Sequence, residues 1–231
     1  MGGNPAGGVG CTAGCGREGW RVSYCLNYRE DITLDWLLAA LLSLAAYLLG
    51  SIPAAYILVR RVRGLDIRQV GSRNVGALNT FQQLGLWGGL LVLLFDTGKG
   101  ALAVLAPGWV GAPEWTVYST GILVVIGHNW PVFLGFRGGK GAASILGVSL
   151  ALLWWQTLIA AGATLLIVLL LRNVVIGALV GFILLDALTI ITHQEAGLIA
   201  LCFFLTFLVT ASYLVSDRER MSAAIKARQW R

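Results

Sequence analysis

Charged side chains make up only 12% of this 231-residue chain, about half the share found in an ordinary soluble domain. Histidine is confined to His128 and His193. No second histidine or carboxylate is spaced around either one to make a triad or a metal site. Cysteine is equally thin, at Cys11, Cys15, Cys25 and Cys202. The first three form a C-x3-C pair with a third thiol ten residues on, which lacks a fourth zinc ligand and makes no disulfide framework. Cys202 falls in an apolar run, where a thiol behaves as a small hydrophobe. Residues 1–27 are Gly-rich and polar, without the apolar stretch of a signal peptide. Residues 1–35 are therefore read as a flexible extension.

Apolar residues are abundant instead, at 57% of the chain, with mean hydropathy +0.77. They gather into runs at Trp36 to Val59, Leu84 to Ala106, Trp115 to Gly135, Ala142 to Leu171, Val174 to Ile191 and Gly197 to Val215. Runs of this length suit membrane helices and are too long for a soluble core. The expected fold class is an all-α polytopic membrane protein: a helical domain over residues 36–215 followed by a basic tail over residues 216–231. A pI near 9.5 would suggest nucleic acid in a soluble chain. Here the excess lysine and arginine lies between apolar runs, where it sets membrane orientation, so nucleic acid is not an expected partner.

Charge also decides how often the thirty-residue run crosses. Residues 60–83 hold five arginines and one acid, residues 137–141 two basic residues, and the tail from Ser216 five basic residues and two acids. All three segments should be cytoplasmic. A single crossing from Ala142 to Leu171 would put Arg172 and the tail outside. Two short helices, turning at Trp154-Trp155-Gln156, restore the pattern. The expectation is seven spans, N-terminus outside and C-terminus in the cytoplasm.

Two loops on the predicted cytoplasmic face concentrate glycine, donors and positive charge. In Asp66 to Asn79, Gly71 and Gly76 permit unusual backbone geometry. Ser72, Asn74 and Asn79 can donate, and Arg68 and Arg73 can offset an anion. Composition alone leaves open whether this is an anion site or a solvated loop that fixes topology. Phe136-Arg137-Gly138-Gly139-Lys140-Gly141 opens the next helix with glycines, a lysine and free N–H groups, a pattern suited to phosphate. It is not a Walker A loop, because Gly141 stands where Ser or Thr is required. Phe95-Asp96-Thr97-Gly98-Lys99-Gly100-Ala101 repeats part of that pattern inside a span. Asp96 and Lys99, at i and i+3, either pair with each other or face substrate. His128, in Gly127-His128-Asn129-Trp130-Pro131, suits a hydrogen-bonded packing residue better than a catalyst.

These motifs, with Gly50-Ser51-Ile52-Pro53 and Pro131-Val132-Phe133, resemble the bacterial acyl-phosphate:glycerol-3-phosphate acyltransferase family over Leu48 to Leu152. The resemblance implies a seven-span enzyme of the bacterial plasma membrane that makes lysophosphatidic acid for phospholipid synthesis. It would move a fatty acyl group from acyl phosphate to glycerol 3-phosphate with no metal or other cofactor. It also implies catalytic roles for Ser72, Lys140 and His128, the last by shaping the site. Substrate contacts would come from Arg68, Gly71, Arg73, Asn74, Gly76, Asn79, Gly138, Gly139 and Gly141, with Asp96 and Lys99 in support.

The chain departs from the family pattern in three places. Arg73 stands where Gly-Ser-Gly-Asn has its second glycine, and Gln82 occupies the place of a family arginine. Near the C-terminus, Arg172-Asn173-Val174-Val175 has no serine and Tyr213 to Arg231 has neither histidine nor asparagine. Two alternatives to the enzyme therefore stay open: a non-catalytic or differently specific relative that binds a phosphate-bearing ligand, and an anion transporter.

Overall fold

The computed structural model describes residues 32–229, with side chains placed through Val215. Cys11, Cys15, Cys25 and most of the expected 1–35 extension lie outside the described residues. Ile32 to Asp35 already form the first turn of a helix. Among the described residues the chain is all helix and turn: α1 Ile32–Ser51, α2 Ala54–Arg63, α3 Ala77–Trp109, α4 Thr116–Asn129, α5 Ala142–Leu152, α6 Trp154–Leu171, α7 Val174–Ile191 and α8 Ala196–Gln229. A single 3-10 turn, Val132–Leu134, separates α4 from α5.

Among the described residues, six helical stretches are long and apolar enough to cross a membrane, α1 and α2 counting as one. Their outward faces are apolar too, with Trp87 74%, Leu169 68% and Phe207 69% exposed. Such surfaces are stable only against lipid, where helices satisfy their own backbone groups. The thirty-residue run is indeed two helices, but they are unequal and break at Leu153, so Trp154 and Trp155 open α6 instead of forming the turn. Helix α5 has 11 residues, about 16 Å at 1.5 Å per residue, short of a hydrocarbon core near 30 Å.

Small residues set the helix crossings, as close backbone approach requires in lipid. A Cβ on Gly50 would strike the Val124 carbonyl and one on Gly127 the Tyr47 carbonyl, locking α1 to α4. Gly100 and Gly147 meet the Ser144 and Thr97 carbonyls in the same way, locking α3 to α5. The main core lies between these helices and α8, around Val124, Val125, Ile145, Val148, Leu205 and Val209. A smaller cluster, Ala55, Val59, Ile67, Val75, Val92 and Leu134, joins α2 and α3 beneath the 66–76 loop.

Helix α3 starts earlier than hydropathy suggests, because Thr80 N–H and Thr80 Oγ1 both donate to the Gly76 carbonyl and begin the helix within the polar motif. Asn79 and Gln82 are therefore helical residues. The helix kinks at Gly85, whose φ of 77° is left-handed. After α6, Arg172 takes φ 51° and Asn173 Oδ1 accepts from the N–H groups of Val175 and Ile176 at 3.0 and 3.1 Å, capping α7.

Candidate active site

The 66–76 loop is organised from below by Asn79, which is fully buried. Its Nδ2 donates toward the Ile67, Val70 and Asn74 carbonyls at 3.0 to 3.1 Å, and its Oδ1 accepts from Ser72 N–H at 3.3 Å. These bonds consume the amide, so Asn79 holds the loop and does not face a ligand. Two left-handed residues, Gly71 at φ 56° and Arg73 at φ 59°, then fold the chain over it. A Cβ on Gly71 would collide with Asn79 Oδ1 and stand 3.1 Å from Gln82 Oε1.

Arg68 is likewise engaged locally. Its Nη2 and Nε donate to Asp66 at 2.8 and 3.0 Å, its Nη1 donates to the Leu134 carbonyl at 3.2 Å, and its guanidinium lies 5.3 Å from the Tyr56 ring centre. The guanidinium's hydrogen bonds hold the Asp66 carboxyl below the usual carboxylate range, and the carboxylate raises Arg68 in turn. A lowered folded-state pKa stabilises the fold above the ordinary carboxylate pKa, and that contribution disappears as pH falls through the lowered value. The Asp66 carboxyl is thus expected to titrate below an unperturbed aspartate by NMR, and Arg68→Gln should return it toward the ordinary range.

The second loop packs against the end of α4. Gly138 N–H donates to the Asn129 carbonyl at 3.1 Å and Gly139 N–H to the His128 carbonyl at 3.0 Å. The expectation of free N–H groups therefore fails at Gly138 and Gly139: their glycines allow close approach. A Cβ on Gly139 would run into His128 Nε2 and stand 2.7 Å from the Val75 carbonyl. Gly139→Ala is expected to displace the loop and abolish substrate binding, while a Cβ at Gly98, which meets nothing within 4 Å, should leave binding intact. Ligand titrations on the two variants check this.

Beneath the loop, His128 Nδ1 lies 3.5 Å from Asp96 Oδ1, which pairs with Lys99 Nζ at 2.8 Å. Lys99 Nζ also donates to the Gly50 and Ile52 carbonyls at 2.9 and 3.2 Å. Pro53 has no N–H to offer, so the break between α1 and α2 leaves acceptors that the ammonium satisfies. Of the two readings for Asp96 and Lys99, the geometry supports the mutual pair. A space of about 10 Å³ among Ser51, Asp96, His128 and Gly138 is of single-water size.

The two loops face one another across an open cavity of about 740 Å³. Of the expected residues it is lined by Arg68, Arg73, Asn74, Gly138, Gly139 and Lys140, with Asp66 as its carboxylate. Ser72, Gly71, Gly76, Asn79, His128 and Gly141 are not among its lining residues. Arg137, Asn129 and Ser212 line it without having been singled out as ligands. Among the described residues that line it, four cationic side chains stand with one acid, itself paired to Arg68, a composition that suits anions. Helix α8 closes the far wall, where Asn129 Nδ2 donates to Ser212 Oγ at 3.0 Å and Lys140 Nζ sits 3.8 Å above the Tyr213 ring. Residue spacing alone did not link Asn129 or Lys140 to Ser212 and Tyr213 on α8.

The family model for glycerol-3-phosphate acyltransferase matches residues 40–224, most of the chain. This chain belongs to that family. It is 38% identical to a glycerol-3-phosphate acyltransferase of Synechococcus sp. strain CC9902, over 80% of this chain and 90% of the relative. It is 51% identical to one from Dehalococcoides mccartyi strain CBDB1 over 47% of each. With that relative and two others from the same species, the match spans about half of their length. The crystal structure of PlsY, an integral membrane glycerol 3-phosphate acyltransferase, in its glycerol 3-phosphate form superposes with TM-score 0.71 and 32% identity. That match covers 83% of this chain and 94% of the other. A lysophosphatidic acid form of PlsY gives TM-score 0.70. Arg73 holds a left-handed backbone at φ 59°, a conformation that costs a non-glycine residue about 1–2 kcal/mol.

Proposed function

We propose that this protein transfers a fatty acyl group from acyl phosphate to a hydroxyl of glycerol 3-phosphate, giving lysophosphatidic acid and phosphate at the cytoplasmic face of a bacterial plasma membrane. The observation that carries this reading is the cavity in which the two family motifs meet, lined by Arg68, Arg73, Arg137 and Lys140. A bond forms between the glycerol hydroxyl oxygen and the acyl carbon as the bond from that carbon to the phosphate oxygen breaks, and the hydroxyl proton leaves with the released phosphate. Acyl phosphate already carries a good leaving group. The protein's work is therefore to align two anionic substrates and offset their charge. Lys140 and Arg73 are the principal phosphate ligands in this reading, and Asn74 donates beside them. Purified protein supplied with both substrates should release phosphate and lysophosphatidic acid. Binding without turnover would favour the non-catalytic relative, a reading that Gln82 in place of the family arginine supports.

Arg73 tests the charge balance. Arg73→Gly keeps the left-handed backbone and relieves its strain, so the fold should persist while most activity goes. Gln82 Oε1 lies beside the Gly71 turn, two residues before Arg73. Adding Gln82→Arg should recover much of the loss, giving strong coupling in a double-mutant cycle of turnover rates. Additive losses would show that Arg73 does not replace the family arginine.

The seven-span orientation is part of the same proposal. Both motif loops edge one cavity, which supports a shared side, and Trp155 follows the α5–α6 break. In a cysteine-free background, cysteine at position 155 should label from outside and at position 73 from inside. Labelling of position 155 from the cytoplasm would overturn the two-crossing arrangement of α5 and α6.

A further inference from the structure

We propose that Tyr213 is a positioning residue for Lys140, presenting the face of its ring so that the ammonium stays at the cavity. The inference rests on the reading of Lys140 as a phosphate ligand. Lys140 is flanked by Gly139 and by Gly141, the latter at φ 83°, so its local backbone gives the long side chain little direction. The Lys140 ammonium nevertheless stands 3.8 Å from the Tyr213 ring centre, well inside the range of attraction between a cation and an aromatic face.

The ring is itself held. Tyr213 is half-buried and packs against the main core cluster. Its neighbour Ser212 donates to the Leu208 carbonyl at 2.9 Å and accepts from Asn129 Nδ2 at 3.0 Å. The Asn129 carbonyl in turn accepts from Gly138 N–H. Two successive residues of α8 thus grip the glycine-lysine loop at two points, one through Asn129 and one through the ring. Holding the lysine in place removes rotamer freedom before ligand arrives, which lowers the ordering cost of binding.

The test is calorimetric binding of glycerol 3-phosphate to the full-length protein in detergent. Tyr213→Leu and Tyr213→Met keep an apolar, somewhat smaller side chain without a π face, and each should weaken binding by about 5–10-fold in protein that remains folded. Tyr213→Phe, which keeps the ring and loses the hydroxyl, should stay within about twofold of the parent. In a Lys140→Gln background, Tyr213→Leu should produce no further loss. Equal loss in the phenylalanine and leucine variants would overturn the proposal, as would unchanged affinity in both ring-free variants. Parent-like affinity in Lys140→Gln itself would overturn the phosphate-loop reading and this inference with it. A Lys140-dependent affinity that ignores Tyr213 would remove the inference alone.

Discussion

Lys99→Ala is expected to destabilise the protein by about 3–5 kcal/mol, the usual consequence of removing one partner of a buried ion pair. The Lys99 side chain is 2% exposed, and its ammonium has three partners within 3.2 Å: Asp96 Oδ1 and the carbonyls of Gly50 and Ile52. An ammonium has three hydrogens, so nothing is left over for a substrate. Its removal strands a carboxylate inside the membrane domain and takes the ammonium from the Gly50 carbonyl at the α1–α2 break, while the Ile52 carbonyl keeps the Ala54 N–H at 3.2 Å. Poor expression and a lowered unfolding temperature in detergent are the measurements. Asp96→Ala combined with Lys99→Ala should cost less than the two single losses added together, because the pair then leaves as a unit. A Lys99→Ala protein of normal stability that had lost only substrate affinity would assign Lys99 to the site instead.

Lys140→Ala should do the opposite, leaving the unfolding temperature near that of the parent and weakening glycerol 3-phosphate binding by about 1.5–3 kcal/mol, or roughly 10–150-fold. Its side chain is half-exposed on the cavity wall, so truncation opens no void in the core. Lost with it is a charged donor facing an anion in a recess of reduced dielectric, where such bonds are worth more than in water. Titration calorimetry on the purified variant decides the matter, and unchanged affinity in a folded protein would contradict the phosphate-loop assignment. Two lysines in nearly repeated motifs, Gly98-Lys99-Gly100 and Gly139-Lys140-Gly141, thus have unlike consequences because one is sealed among helices and the other opens on the cavity.

Membrane helices, their approximate bounds and the family were legible in the residues alone. Lipid offers no hydrogen bonds, so every crossing must be a long apolar helix, and that demand is written locally. Val174–Ile191 matches its apolar run to the residue, and the break near Trp154 followed from charge alternation. Of the two glycines expected to take unusual backbone in the first loop, Gly71 does so at φ 56°, whereas Gly76 is extended at φ −163°, a conformation open to any residue.

What each polar side chain does with its hydrogen bonds was decided by packing. Arg68 and Asn79 have the chemistry of anion ligands, yet Asp66, Leu134 and three loop carbonyls take up most of their donors. Lys99 finds its acceptors 47 and 49 residues away, at Ile52 and Gly50, and Asn129 finds Ser212 across 83 residues. Hydropathy and spacing report on neighbours within a few turns of one helix. A buried donor is satisfied by whichever acceptor the tertiary fold brings within about 3 Å, so the division between residues that bind and residues that hold the loops came into view only once α1, α3, α4 and α8 were assembled.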